Sequence, residues 1–507
     1  MEATDAIEQP VGLQNAEAQL PPIANPTPPD DEQPWFGRIY ANGSGYYLDN
    51  GIGGWSYVTE TNAERALRAM GISKTRDTPT TSPLDRTFLA LQMRHKVDFA
   101  GPLAGYKSGV TEQNGLKVLV TKPTKIITPV KGEFPVINAI LNGLVRDKRK
   151  YIDAYVKHTY EGLALCIETG KNDYGPVLVL AGPKNSGKSF FQQHILTPLL
   201  GGRAENPYQY MTGETPFNSE LTGAGHLMLE DESAAKDIKT RVKFGTYIKK
   251  FAANKMAKSH GKNKEGVSVF PFQRLSVSVN DEPEHLEVLP PIDDSLSDKL
   301  IILKCFQVTL PMPNITPREK KAVDDAIARE LPAYLYWVLN EFKIPEDIKA
   351  SEKESRYGFK IFQDPGILEA IEGTAPETQL IELLEGRFFY DVELYEHEAG
   401  TSFRKDPEKG ARKVRETHWI TLGTAAEIFS KLTETENISR TNNAARKLLS
   451  SPKACGIYLS RLAAKHPELI KQYRGNRGMN KYKIWCDPKK YLADEDGGNL
   501  TAMEEES

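Results

Sequence analysis

Gly182-Pro183-Lys184-Asn185-Ser186-Gly187-Lys188-Ser189 is a complete G-x-x-x-x-G-K-S string, and its flanks give it meaning. The apolar run Val177-Leu178-Val179-Leu180 precedes it. Phe190-Phe191-Gln192-Gln193-His194-Ile195-Leu196, which reads as helix, follows. A strand feeding a glycine-rich loop that opens a helix is the context this phosphate-binding motif requires. Its glycines let the backbone wrap an anion, so that successive N–H groups and the helix N-terminus point at it. Gly182, Pro183, Lys184, Asn185, Ser186, Gly187, Lys188, Ser189 and Phe190 are therefore the candidate nucleotide-binding residues. Lys188 is expected to reach the β- and γ-phosphates, and the Ser189 hydroxyl to ligate Mg²⁺. ATP and Mg²⁺ are the ligands this motif predicts.

Working outward, His226-Leu227-Met228-Leu229-Glu230-Asp231-Glu232 is an apolar strand ending in three carboxylates. A strand-end Asp can hold Mg²⁺ while a neighbouring Glu polarises the attacking water. Asp231 is assigned to the metal and Glu232 to the water, with Glu230 in reserve. Leu275-Ser276-Val277-Ser278-Val279-Asn280 alternates as a strand does and ends in an amide, Asn280, suited to sensing the γ-phosphate. Between these elements lies a basic stretch containing Lys255, Lys258, His260, Lys262 and Lys264, with Gly261 at its centre and Val267-Ser268-Val269-Phe270 after it. It reads as a hairpin with a positive tip, able to track a phosphate backbone.

Bulk properties bound the rest. The chain has 507 residues, of which 26% are charged and 39% hydrophobic, and its net charge is −3. The length predicts two to four domains. Four widely spaced cysteines, Cys166, Cys305, Cys455 and Cys486, argue against a disulfide framework or a zinc site. No apolar stretch is long enough to span a bilayer, so no membrane partner is expected and a cytoplasmic location in a bacterial or phage-infected cell is. Residues 1–33 hold seven acids, six prolines and no Lys or Arg, a composition expected to stay disordered. From Ile438 to Lys490 there are thirteen Lys or Arg against two acids, the electrostatic footprint of a nucleic-acid surface. Three short helices there, 425–432, 442–449 and 456–465, precede a basic hairpin, Lys471 to Trp485. Arg474, Arg477 and Lys481 are its candidate phosphate contacts.

The order of phosphate loop, acidic strand, basic hairpin and Asn-tipped strand resembles a superfamily 3 helicase, a branch of the AAA+ ATPases. The likeness is to the helicase-type domain of phage and plasmid replication proteins, including phage primase-polymerases and poxvirus-like primase-helicases. It is best carried by Val277 to Pro283 and by Leu289 to Lys299. The resemblance implies an α/β P-loop AAA+ core, a homo-hexameric ring with ATP between subunits, and hairpins gripping one DNA strand in a channel. Where such a family places a trans-acting arginine, this chain has Asp298-Lys299, so the expectation is that Lys299 serves as a point charge, that Arg318 reaches in from a neighbour, or that hydrolysis is weak. The C-terminal helices and hairpin resemble a winged helix.

The expected organisation is a disordered tail (1–34), a small α+β module (35–135), a helical lead-in with the ATPase domain (136–345), a linker (346–375), a winged-helix-like domain (376–490) and an acidic tail (491–507). The function expected is an ATP-dependent DNA helicase or translocase of a phage or mobile-element replication system. Its partners would be single-stranded and duplex DNA, and a separate primase or polymerase. An ATP-switched origin-binding initiator or loader is the first alternative, and a non-helicase P-loop phosphotransferase the second.

Overall fold

Short aromatic runs separated by glycine-rich turns make the first sheet. Strands β1 (Ile39–Asn42), β2 (Gly45–Asp49) and β3 (Trp55–Val58) pair antiparallel in that order. One face buries Ile39, Ala41 and Tyr46 with Leu67 of helix Glu60–Ala69 and Leu84 and Leu91 of helix Pro83–Met93. The first helix has Thr59 as its N-cap. A reciprocal capping box between Ser82 and Asp85, with Pro83 in the first turn, fixes the start of the second. These elements form a unit ending at Asp98, and a second unit runs from Phe99 to Ser507. The stretch 35–135 is thus divided, because β4 (Phe99–Gly101), β5 (Gly109–Gln113) and β6 (Leu116–Val120) form a sheet of order β4-β6-β5 in the second unit.

The structure is a computed structural model, and it describes residues 30–43, 45–230, 238–253, 257–259, 266–373, 376–388, 403–405, 412–414, 419–434, 444–446, 448–449, 451–475 and 478–485. Asp231, Glu232, Lys255, His260, Lys262, Lys264 and Arg477 lie outside the described residues, as do both tails beyond 30 and 485.

The centre of the second unit is a parallel sheet. It is built from β7 (Val177–Ala181), β8 (Ala204–Glu205), β9 (His226–Glu230), β12 (Arg274–Val279) and β13 (Leu300–Lys304), while β10 (Ala257–Ser259) and β11 (Val267–Val269) form a separate antiparallel hairpin. The strand order is β13-β7-β12-β9-β8, and each neighbouring pair is parallel. Every residue of β7 and β12 is buried, as strands covered on both faces require. Side chains alternate between two cores. Leu178, Leu180, Ile301 and Leu303 face helices Pro135–Val145, Arg149–Thr169 and Pro317–Tyr336. Val177, Val179, Leu227, Leu229, Leu275, Val277 and Ile302 face helices Ile238–Ala253 and Pro365–Gly373. The result is a three-layer α/β/α arrangement. Among the described residues, no helix is long and apolar enough to cross a membrane.

Residues 346–364 pack on this body rather than hanging between domains. Ile348, Tyr357 and Phe359 are buried in the first of the two cores, and Gln363 bridges to Ile302. A separate core begins at helix Pro376–Phe388, whose Leu380 and Leu384 pack with Ile428, Leu459, Ile470 and Ile484. The remaining strands are the hairpin β14 (Phe403–Lys405) and β15 (Arg412–Val414), and the antiparallel sheet of β16 (Trp419–Thr424), β17 (Ile470–Arg474) and β18 (Asn480–Trp485), in the order β16-β18-β17. Helices Ala425–Thr433 and Pro452–Lys465 lie between β16 and β17. The first carries the capping box of Thr424 and Glu427.

Candidate nucleotide site and nucleic-acid surfaces

Because all five strands of the central sheet are parallel, the segments that follow them emerge at one edge. The loop after β7 is flanked by the exits of β12 and β13, and the exit of β9 is next in line. The registers place Leu180, Ser278 and Glu230 at one level. Brought together there are the 182–189 loop, Asn280 and the start of the acidic run. In open α/β sheets this carboxyl edge is where ligands bind.

The loop is tied to its neighbours from its first residue. Gly182 N–H donates to the Val279 carbonyl at 3.2 Å, and Cys305 N–H donates to the Ala181 carbonyl at 2.6 Å. A Cβ on Gly182 would collide with the Cys305 carbonyl, so only glycine fits. Asn185 (φ +62°) and Gly187 (φ +98°) then turn the chain through the left-handed region. The Lys188 ammonium, on a side chain that is almost wholly buried, donates to the carbonyls of Gly182 (2.7 Å) and Pro183 (2.9 Å) and to Ser186 Oγ (3.3 Å). Pro183, Lys184 and Asn185 are exposed, and Ser189 and Phe190 are half-buried. Phe190 stacks on His194, ring centroids 4.3 Å apart.

These residues fit a triphosphate. A glycine cradle, a buried ammonium and the start of a twelve-residue helical run, 188–199, converge on one point. Ser189 in the first turn and the carboxylate of Glu230 supply oxygen ligands of the kind Mg²⁺ takes. Glu230 Oε1 accepts from Gln193 Nε2 at 2.9 Å, which fastens the end of β9 to the same helix. Asn280 is buried one residue beyond the carbonyl that Gly182 engages.

Three features here gave no signal in the sequence. The helical run 188–199 holds a π-helical turn, Gln192–Leu196, between its two α-helical parts. Beneath it runs a buried polar chain. Gln192 Nε2 donates to Ser276 Oγ (2.6 Å), which meets His226 Nε2 (2.6 Å), while His226 Nδ1 meets Thr197 Oγ1 (2.7 Å). Burial pushes the His226 imidazole down to about 3, favouring its neutral form. On the other flank, the Arg146 guanidinium lies 3.6 Å from the centre of the Phe306 ring, and Phe306 N–H donates to the Leu144 carbonyl. Val308, two residues on, lines the approach to both Gly143 and Gly187. This planar pair at the loop's flank has the chemistry to face a nucleobase.

Lys299 occupies the opposite edge of the sheet. It immediately precedes β13, and its carbonyl accepts the Val177 N–H. Five strand residues separate it from the phosphate-loop edge, about 16 Å at the usual rise per residue. That distance exceeds the reach of its side chain to a ligand held at the other edge of its own chain. Its ammonium bonds to the Ser295 carbonyl (2.8 Å) and Asp298 (2.5 Å). Arg356 Nη2 holds the other Asp298 oxygen at 3.0 Å with its side chain 42% exposed, so an arginine does stand beside this pair. Arg318 is exposed in the first turn of helix Pro317–Tyr336.

The basic stretch contains a hairpin. β10 and β11 pair Lys258 with Ser268, and the Lys258 stem lies over Gly266. In the C-terminal sheet, Arg474 is exposed at the end of β17 opposite Asn480, and Lys481 is half-buried opposite Tyr473.

No protein-family model and no curated protein matches this chain. Among solved structures, the A form of the apo NrS-1 C-terminal region aligns at TM-score 0.48 and 14% identity, over 89% of this chain and 96% of that one. The apo structure of NrS-1 C-terminal region 305–718 aligns at TM-score 0.48 and 12% identity, over 90% and 100%. An A-form apo structure of the same region gives 0.43 and 13%, over 89% and 96%.

Proposed function

We propose that this chain is an ATP-dependent nucleic-acid motor, a DNA helicase or translocase of the superfamily 3 type serving phage or mobile-element replication. The observation that carries the reading is the common edge at which the loop ending in Lys188, Asn280 and the carboxylate end of β9 lie side by side, with a basic hairpin inserted between β9 and β12. Nucleotide chemistry and a strand-gripping element are thereby mounted on adjacent strands.

In this reading the loop N–H groups and Lys188 bind and orient the triphosphate, exchanging the Gly182 and Pro183 carbonyls for phosphate oxygens. Ser189 and Asp231 would hold Mg²⁺, which neutralises developing charge on the transferred phosphoryl group. Glu232 orients the attacking water, and Asn280 senses the γ-phosphate. Arg146 and Phe306 flank the nucleobase. Lys258 and its neighbours carry the strand, and the C-terminal sheet and helices form a winged-helix-like second contact with DNA. Lys299 or Arg356 serves the nucleotide of a neighbouring subunit, which calls for a ring, and a separate primase or polymerase would act beside it.

Steady-state ATP hydrolysis with and without single-stranded DNA tests the reading. Stimulation by DNA is expected, and Lys258→Gln should weaken that stimulation while leaving basal turnover in place. Turnover indifferent to DNA would favour the phosphotransferase. DNA-stimulated turnover without strand displacement from a forked duplex would favour the ATP-switched initiator or loader.

A further inference from the structure

In the C-terminal sheet, alternation sorts the side chains cleanly. Leu422, Ile470, Tyr482 and Ile484 turn into the core. The residues between them share the other face, and their registers place Trp419 opposite Trp485, Lys483 between Thr421 and Lys471, and Lys481 opposite Tyr473. An irregularity between Thr421 and Gly423 keeps Leu422 inward without disturbing that face. The two indoles meet edge to face, centroids 5.5 Å apart and 68° inclined. Lys471 Nζ lies 4.3 Å from the centre of the Trp419 ring and Lys483 Nζ 5.4 Å from it. Both indoles are half-buried.

The charge of this face is one-signed. β16, β17 and β18 contain Lys471, Arg474, Lys481 and Lys483 and no acidic residue. Among the described residues, Lys471, Lys481 and Lys483 form no ion pair. Lys481 exerts a minor pull on the Glu427 carboxylate, which accepts the Thr424 N–H at 2.6 Å. Helix Pro452–Lys465 contrasts with this. Its Tyr458, Arg461 and Lys465 line a cleft of about 630 Å³ against Arg241, Lys249 and Asp293. There Arg461 pairs with Glu377 at 3.2 Å and Lys465 with Glu372 at 2.9 Å. Arg461 and Lys465 are thus each matched by a carboxylate, whereas among the described residues Lys471, Lys481 and Lys483 are not.

We propose that this sheet face is a platform for single-stranded nucleic acid, on which bases stack against Trp419 and Trp485 while Lys471, Lys481 and Lys483 neutralise phosphates. Indole faces held by a sheet and bordered by ammonium groups match an unstacked base and its backbone. A duplex hides the base faces that such rings would use. On binding, a base takes the place of the Lys471 ammonium over Trp419, and that ammonium moves to the adjacent phosphate. The proposal rests on the reading of the C-terminal domain as a nucleic-acid module and not on the ATPase chemistry.

The test uses the full chain and fluorescein-labelled oligothymidylate, followed by anisotropy. Trp419→Leu and Trp485→Leu should each weaken binding about 5- to 150-fold, the range of single-base stacking, while Trp→Phe at either site stays close to wild type. Lys471→Gln with Lys483→Gln should lower the salt slope by about 1.4. Wild-type affinity in the leucine variants overturns the platform, and so does an equal loss for duplex and single strand. Because the phenylalanine and glutamine variants leave the core face of the sheet untouched, their behaviour decides the matter even where a leucine variant fails to fold. The response of ATP turnover to DNA separates the two readings. Intact sheet-variant binding with loss only in Lys258→Gln removes the platform and leaves the motor, whereas weakened sheet-variant binding with DNA-indifferent turnover removes the motor and leaves the platform.

Discussion

Replacing Lys188 by alanine should lower ATP turnover about 100- to 1,000-fold, the usual cost of removing one preorganised donor from a developing anion. The ammonium is nearly sequestered and bonds to two carbonyls and a hydroxyl of the loop that it serves. Truncation therefore removes both the charge offered to phosphate and the strut that keeps the loop closed. Lys188→Arg is informative beside it, because a planar guanidinium carries the charge but does not fit a point-charge site framed by Gly182. Turnover within threefold of wild type in Lys188→Ala would show that the loop does not serve hydrolysis. Loss of turnover with nucleotide binding retained would place the effect on the chemical step.

The second large effect concerns acid. The His226 imidazole is held neutral, its pKa depressed to about 3 by burial, whereas an unfolded histidine takes up a proton near 6.5. Between these values the unfolded chain binds the extra proton, so stability rises with pH across the window and falls as pH drops below about 6.5. The slope approaches about 1.4 kcal/mol per pH unit, which amounts to about 2 kcal/mol lost between pH 7 and pH 5 from this residue alone. Urea unfolding at the two pH values should show that loss in the wild type and a smaller one in His226→Gln, even though the variant starts from a lower stability at pH 7. An unchanged difference would mean that the imidazole is not sequestered. The consequence reaches the candidate site, because His226 joins Thr197 of the helical run 188–199 to Ser276 of β12, the strand that leads into Asn280.

Much of the central architecture is written plainly in the sequence. Val177-Leu178-Val179-Leu180 is a strong strand signal because that strand is covered on both faces, and Leu275–Val279 is one by its period of two. β8 left no trace, since two residues cannot carry a period. The stretch 346–375 has the Lys, Glu and Ser content of a linker, yet three apolar residues, Ile348, Tyr357 and Phe359, suffice to anchor its first half. Composition averages over such anchors. The candidate site was legible as far as its motifs, because loop, strand tip and hairpin are local patterns. Which of them meet is a matter of strand order, and that rests on long-range pairing. The same limit hid the far-edge position of Lys299 and the nearness of Arg356, fifty-seven positions along the chain. His226 looked like an ordinary strand opening, and nothing local announces the partners that Thr197 and Ser276 supply. The Trp419 and Trp485 pair likewise needs the register between two strands that lie far apart along the chain.

In the proposed ring, the far-edge position of Lys299 would make each polypeptide half of two different stations, a receiver at one rim and a donor at the other. Two separately inactive chains, one altered at Lys188 and one at the donor rim, would then restore turnover when mixed, because some junctions would unite an intact receiver with an intact donor. Mixing wild type with either altered chain would lower turnover more steeply than simple dilution. Inheritance would follow the same arithmetic, with one damaged copy silencing healthy neighbours.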